Sequence, residues 1–132
     1  MSEPGPLRYS SIAADHIRNP RNVGRLDDAT ATGQVDDQAT ENYIAIYLRV
    51  EADRLAAVRF RALACSACIA ASSVATELAT GRTVAEAGQI DAGVILTALG
   101  GLPDSKLHCA ELAALALANA LAAVEAVGAA AD

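Results

Sequence analysis

Three cysteines and one histidine are the side chains of this sequence best suited to chemistry, and they fall into two groups. Cys65-Ser66-Ala67-Cys68 is a CxxC, and His108-Cys109 sets an imidazole beside a thiol. Each group stands where the local pattern starts a helix, so unpaired backbone N–H groups and the helix dipole favour the ionised thiol there. That thiolate is the form that binds metal or accepts sulfur. Three thiolates and an imidazole suit tetrahedral zinc, or the two irons of a [2Fe-2S] cluster with two protein ligands on each. A CxxC is also the signature of a redox dithiol, but the βαβ pattern that usually carries one is missing upstream. The plainer alternatives are Cys68 buried as a small hydrophobe, His108 as a capping or packing residue, and His16 as a structural residue of the first helix.

Composition limits the setting in which this chemistry operates. A chain of 132 residues is expected to form one domain, here residues 9–128, with a flexible N-terminus over 1–8 and a short tail over 129–132. Apolar residues make up 53% of the chain but aromatics only 3%, so the core must be built from small aliphatic side chains and helix is favoured. A net charge of −6 and a pI near 4.8 argue against nucleic acid and against anionic membrane surfaces as partners. The first twenty residues lack an apolar signal core, and an odd cysteine count suits a reducing compartment, so a cytoplasmic location is expected. The alanine-rich stretch from Ala110 to Ala131 is interrupted by Glu111, Asn119 and Glu125, which favours a packed amphipathic helix over a membrane span.

The elements that must position the thiols follow from periodicity. Ser11 is expected to cap a short helix running to Arg18 and ended by Asn19-Pro20. Alternation over Tyr43–Val50, with Ile44, Ile46, Leu48 and Val50 on one face, predicts a half-buried strand. A second strand is expected over Leu55–Leu63, joined through a turn at Glu51–Arg54, and Gly33–Asp36 adds an edge strand. Beyond Cys65 the pattern becomes helical: Ser66–Thr80 closed by Gly81, then Thr83–Ala87, Asp91–Leu99, and a long helix to about Val127. Strands followed by helices predict an α+β fold with helices on one face of an antiparallel sheet.

At these residues the chain resembles the U-type iron-sulfur cluster scaffold family, IscU and the N-terminal domain of NifU. The resemblance spans roughly Tyr9 to Val127. It begins with Tyr9, Asp15-His16 and Asn19-Pro20-Arg21-Asn22-Val23-Gly24 and continues through Arg59-Phe60 to Cys65. Ile69-Ala70, Ser72-Ser73, Thr76-Glu77 and Lys106-Leu107-His108-Cys109 complete it. It implies a three-stranded antiparallel sheet and a site where a cluster is built from iron and from sulfur delivered by a cysteine desulfurase, then passed to iron-sulfur client proteins. It assigns ligand positions to Cys65, His108 and Cys109. It also makes Cys109 the candidate persulfide acceptor and links Tyr9 to sulfur transfer or dimer formation.

The departures from the family pattern are specific. The family's cysteine-glycine-aspartate before the first long strand is here Thr40-Glu41-Asn42, so a ligand cysteine and a functional carboxylate are both replaced. Thr40 is a poor metal ligand. Cys68, one helical turn from Cys65, is the candidate replacement, and Asn42 in place of the carboxylate suggests slower cluster release. Leu102-Pro103-Asp104-Ser105-Lys106 departs from the segment that the bacterial family offers to an Hsp70-type chaperone, which argues against that handoff. The leading expectation is a scaffold or carrier, not a catalyst, holding [2Fe-2S] on Cys65, Cys68, Cys109 and His108. The alternatives are a closed zinc (Zn2+) module on the same ligands, a sulfur relay through Cys109 to Cys65 or Cys68, and an idle partner of the true scaffold. The oligomeric state is left open.

Overall fold

The structure is a computed structural model that describes residues 8–131. The expectation for residues 1–7 and for Asp132 lies outside them. Three strands, β1 (Ala31–Asp37), β2 (Asn42–Glu51) and β3 (Arg54–Leu63), form an antiparallel sheet in that order, with β2 central. The helices are α1 (Ser11–Arg18), α2 (Ser66–Ala79), α3 (Val84–Ala87), α4 (Ala92–Leu99) and α5 (Leu107–Ala131), with a short 3-10 turn at Asp104–Lys106 before the last.

The expected hairpin is present and its hydrophobic period explains it. Ile44, Ile46 and Leu48 of β2 and Leu55, Val58 and Phe60 of β3 are buried on the face that α2 and α5 cover. Ala52 and Asp53 connect the strands with φ of +51° and +65°, the left-handed pair that matches the twist of a two-residue hairpin. β1 is longer than the expected Gly33–Asp36 because its pairing with β2 extends from Ala31↔Leu48 to Asp37↔Asn42. Periodicity of β1 alone does not carry that information; the partner strand does.

Helix ends follow local chemistry with one shift. Ser10, not Ser11, caps α1: its Oγ accepts the Ala13 N–H at 3.0 Å and donates to the Leu99 carbonyl. Two adjacent serines offer equal local caps, and the tertiary bond to Leu99 selects the first. Thr83 and Glu86 form a reciprocal capping box, Asp91 caps α4, and Gly100 at φ +74° ends it. α5 runs on to Ala131, past the expected Val127.

Two contacts fix the helical layer on the sheet. A Cβ on Gly33 would overlap the backbone of α5 at Ala116 and Ala120, so only glycine lets this helix lie directly on β1. Asn119 Nδ2 donates to the Gln34 carbonyl at 3.0 Å beside that contact. By length and composition α5 could cross a membrane, but here Ala113, Ala116, Leu117, Ala120 and Leu121 are buried in the core.

The N-terminal motif clamps α2. The Ser73 hydroxyl meets His16 Nδ1 at 2.7 Å and accepts the Arg21 N–H at 2.9 Å, while Asn22 Nδ2 donates to Thr76 Oγ1 at 3.2 Å. Asn22 and Gly24 then pair with Phe60 on β3, tying the clamp to the sheet. His16 Nε2 lies 3.6 Å from Glu77, so a neutral ring carries its proton on Nε2 and accepts the Ser73 hydroxyl proton at Nδ1. Burial, and secondarily the Arg21 guanidinium, hold the His16 pKa below the ordinary histidine value against the pull of Glu77 and Asp15.

Two outcomes are expected from this packing. Gly33→Ala should lower the unfolding free energy by about 3 kcal/mol in urea titration, because the helix must move off the strand. The unfolded chain protonates His16 first, so stability is lost as pH falls from about 6.5 through the lower folded value. That portion of the acid loss should vanish in His16→Gln when unfolding curves are compared at stepped pH.

Candidate metal centre

The thiols meet because two helices begin at the same place. Cys65 is the N-cap of α2, with extended backbone at φ −70° and ψ 166°, and its side chain makes no capping bond. The sulfur is therefore free to turn toward α5. Cys68 occupies the third position of α2 and Cys109 the third of α5, and both are fully buried, whereas Cys65 is half-buried.

The three sulfurs lie within 4.8 Å of one another, with Cys65 Sγ 3.5 Å from Cys109 Sγ. His108 stands outside that trio; its Nε2 lies 3.6 Å from Cys109 Sγ. Tyr9 is half-buried beside the thiols, and burial followed by the charge of Cys65 raises its phenol pKa, with Lys106 opposing. His16 is held on Ser73 and does not join the site.

Two of the thiols are driven in opposite directions by their contact. The Cys109 pKa is pulled down to about 6, first by the neighbouring Cys68 thiol and against the cost of burial, with Cys65, His108 and Lys106 adding to the fall. The Cys68 thiol is pushed up, first by its proximity to Cys109 and then by burial. The metal-free site thus holds a thiolate on Cys109 braced by thiol donors, the arrangement from which a thiophilic ion takes over by displacing the remaining protons.

The two positions that the resemblance reads as replaced are tied to this corner by hydrogen bonds. Thr40 is exposed in the β1–β2 connection, and its hydroxyl donates to Asp37 Oδ2 at 2.6 Å. Asn42 is buried; its Nδ2 donates to Thr40 Oγ1 at 2.9 Å and its Oδ1 accepts the Cys65 main-chain N–H at 3.0 Å. Sequence reasoning reads these residues as losses, and no local signal links them to Cys65, which is 23 residues downstream of Asn42. The cavity of about 660 Å³ beside Val50, Asp53 and Val84 lies at the far end of β3 from the thiols and takes no part.

Residues 8–129 match the NifU-like N terminal domain family. The chain is 43% identical over 113 residues to the iron-sulfur cluster assembly scaffold protein IscU 1 of Archaeoglobus fulgidus, a match covering 86% of this chain and 74% of that one. It is 37% identical over 108 residues to the scaffold protein IscU of Aquifex aeolicus, covering 80% of this chain and 69% of the relative. Among solved structures, the NifU-like protein (N-terminal) of Brucella abortus shares the fold at a TM-score of 0.68 and 18% identity, covering 89% of this chain and 94% of that one. A protein described as an iron-sulfur cluster assembly scaffold for the SUF system, from Fervidobacterium islandicum, does so at 0.70 and 20%, covering 86% and 96%.

Titration of the reduced, metal-free protein, followed by thiolate absorbance, should show a first ionisation near pH 6. Cys109→Ser should move that first step up toward the ordinary thiol range. An unchanged first step would place the charge on another cysteine.

Proposed function

The chain belongs to the NifU-like N-terminal domain family, and from that premise we propose that it holds a [2Fe-2S] cluster, as cargo, for iron-sulfur client proteins. Cys65, Cys68, Cys109 and His108 are the protein ligands in this reading, and the chain acts as a scaffold or carrier and not as a catalyst. The gathering of the three thiols at two helix N-termini is the observation that supports it. Cys68 supplies the thiolate that Thr40 cannot, from a position one turn along the helix that carries Cys65. A cysteine desulfurase is the expected source of sulfur, and Cys109, already ionised near neutral pH, is the thiol chemically suited to receive it.

A second reading rests on one distance. A tetrahedral ion with metal–sulfur bonds of about 2.3 Å sets its sulfurs about 3.8 Å apart. The 3.5 Å between Cys65 and Cys109 is close to that spacing. Ligands on two different irons must stand farther apart, so a trio this tight also suits a single zinc or ferrous ion.

Anaerobic reconstitution with iron and sulfide separates the two. The scaffold reading expects a coloured protein with iron and sulfide in equal amounts, and loss of most of that colour in Cys68→Ser. A colourless protein that retains one zinc per chain and refuses iron would select the second reading. Cys68→Ser with an undiminished cluster would remove Cys68 from the ligand set.

A further inference from the structure

Asp37, Thr40 and Asn42 form a chain of hydrogen bonds whose direction is forced at every link. The Asp37 carboxylate can only accept, and it takes the single hydroxyl proton of Thr40 at 2.6 Å. With that proton committed, Thr40 Oγ1 can only accept from its other neighbour. Asn42 must therefore present its NH2 group there, and it does so at 2.9 Å. The opposite end of the amide, Oδ1, then faces the start of α2 and accepts the Cys65 N–H at 3.0 Å. A carboxylate at the end of β1 thus sets the orientation of a side chain that is 3% exposed and touches the thiol site.

We infer that Asn42 is the positioning residue of this site, fixing Cys65 before any metal arrives. The inference rests on the proposed role of Cys65 as a ligand. As the N-cap of α2, Cys65 has an N–H outside the helical ladder, and its side chain gives no cap of its own. The Asn42 amide is what holds this corner between β3 and α2, and it leaves the sulfur free to lie 3.5 Å from Cys109. The replacement of the family's cysteine and carboxylate is then a matched pair. Thr40 and Asn42 bond to each other, and together they tie the β1–β2 connection to the helix that carries Cys65 and Cys68.

The matching makes a specific demand. An aspartate at position 42 would leave two carboxylates facing one hydroxyl proton. Changing Asp37 to asparagine at the same time reverses the outer links: the new amide donates to Thr40, Thr40 donates to the carboxylate at 42, and that carboxylate still accepts the Cys65 N–H.

The test uses the full, reduced, metal-free chain. Thr40→Val, at an exposed position where folding is preserved, should speed hydrogen exchange at the Cys65 amide roughly three- to tenfold, and Thr40→Ser should restore the wild-type rate. Asn42→Asp should lower the melting temperature, and adding Asp37→Asn should recover most of the loss. Wild-type exchange in Thr40→Val, or a deeper loss in the double variant, would overturn the inference. Cobalt(II) binding, read from thiolate-to-metal absorption, is scored separately and should weaken in Thr40→Val. A wild-type chain that takes no cobalt while the exchange contrast persists would overturn the ligand role of Cys65 and leave the hydrogen-bond chain standing.

Discussion

The distance between the first turns of α2 and α5 governs the thiol site, and small side chains set it. Ala67, Ala70, Ala71 and Ala75 on one helix and Ala110 and Ala113 on the other are all fully buried where α2 and α5 pack together. Larger residues at these positions would push the helix axes apart. The sulfurs of Cys65 and Cys109 could not then meet at 3.5 Å. The same economy of volume acts at Gly33, where the absence of a side chain seats α5 on β1. An alanine-rich core therefore does more than fill space: it brings two positive helix ends to one point, where a thiolate is favoured.

The sequence made the order of elements and the α+β class legible because the decisive signals are local. The Ile44, Ile46 and Leu48 alternation, the capping box at Thr83 and Glu86, and Gly100 after α4 each act within a few residues. What was not legible depended on a distant partner. Ser10 and Ser11 compete equally for the α1 cap until the Leu99 carbonyl decides between them. The length of β1 depends on β2, and the role of Asn42 depends on a backbone group far along the chain. The thiols themselves were readable as a set because a CxxC and a histidine-cysteine pair are short patterns. That His108 lies outside the compact trio was not, since where an imidazole reaches depends on a rotamer that the sequence does not show.

The residues that carry the resemblance divide by what they do in the fold. Asp15, His16, Asn19, Arg21 and Asn22 lie in or beside the clamp on α2, through Ser73, Thr76, Glu77 and the charges around them. A buried neutral histidine and a serine that serves two partners tolerate little change, because each unsatisfied group would cost about 1–3 kcal/mol. The motif thus fixes the helix that presents Cys65 and Cys68 without itself reaching the sulfurs. Its distance from the chemistry and its part in setting up that chemistry are both consequences of the same packing.

On the proposed reading, a ligand thiol on α2 in place of one in the β1–β2 connection changes the mechanics of the site. A ligand on a connection between strands can move with that connection, whereas Cys65 and Cys68 share one helix and keep a fixed relation to each other. On the proposed reading, the chain has exchanged an adjustable ligand for a rigid one. The freed connection is bonded down through Thr40 and Asn42. A general scaffold must let its cargo go, which favours ligands that can swing away. A holder benefits from ligands that cannot, and on the proposed reading both substitutions shift this site in that direction.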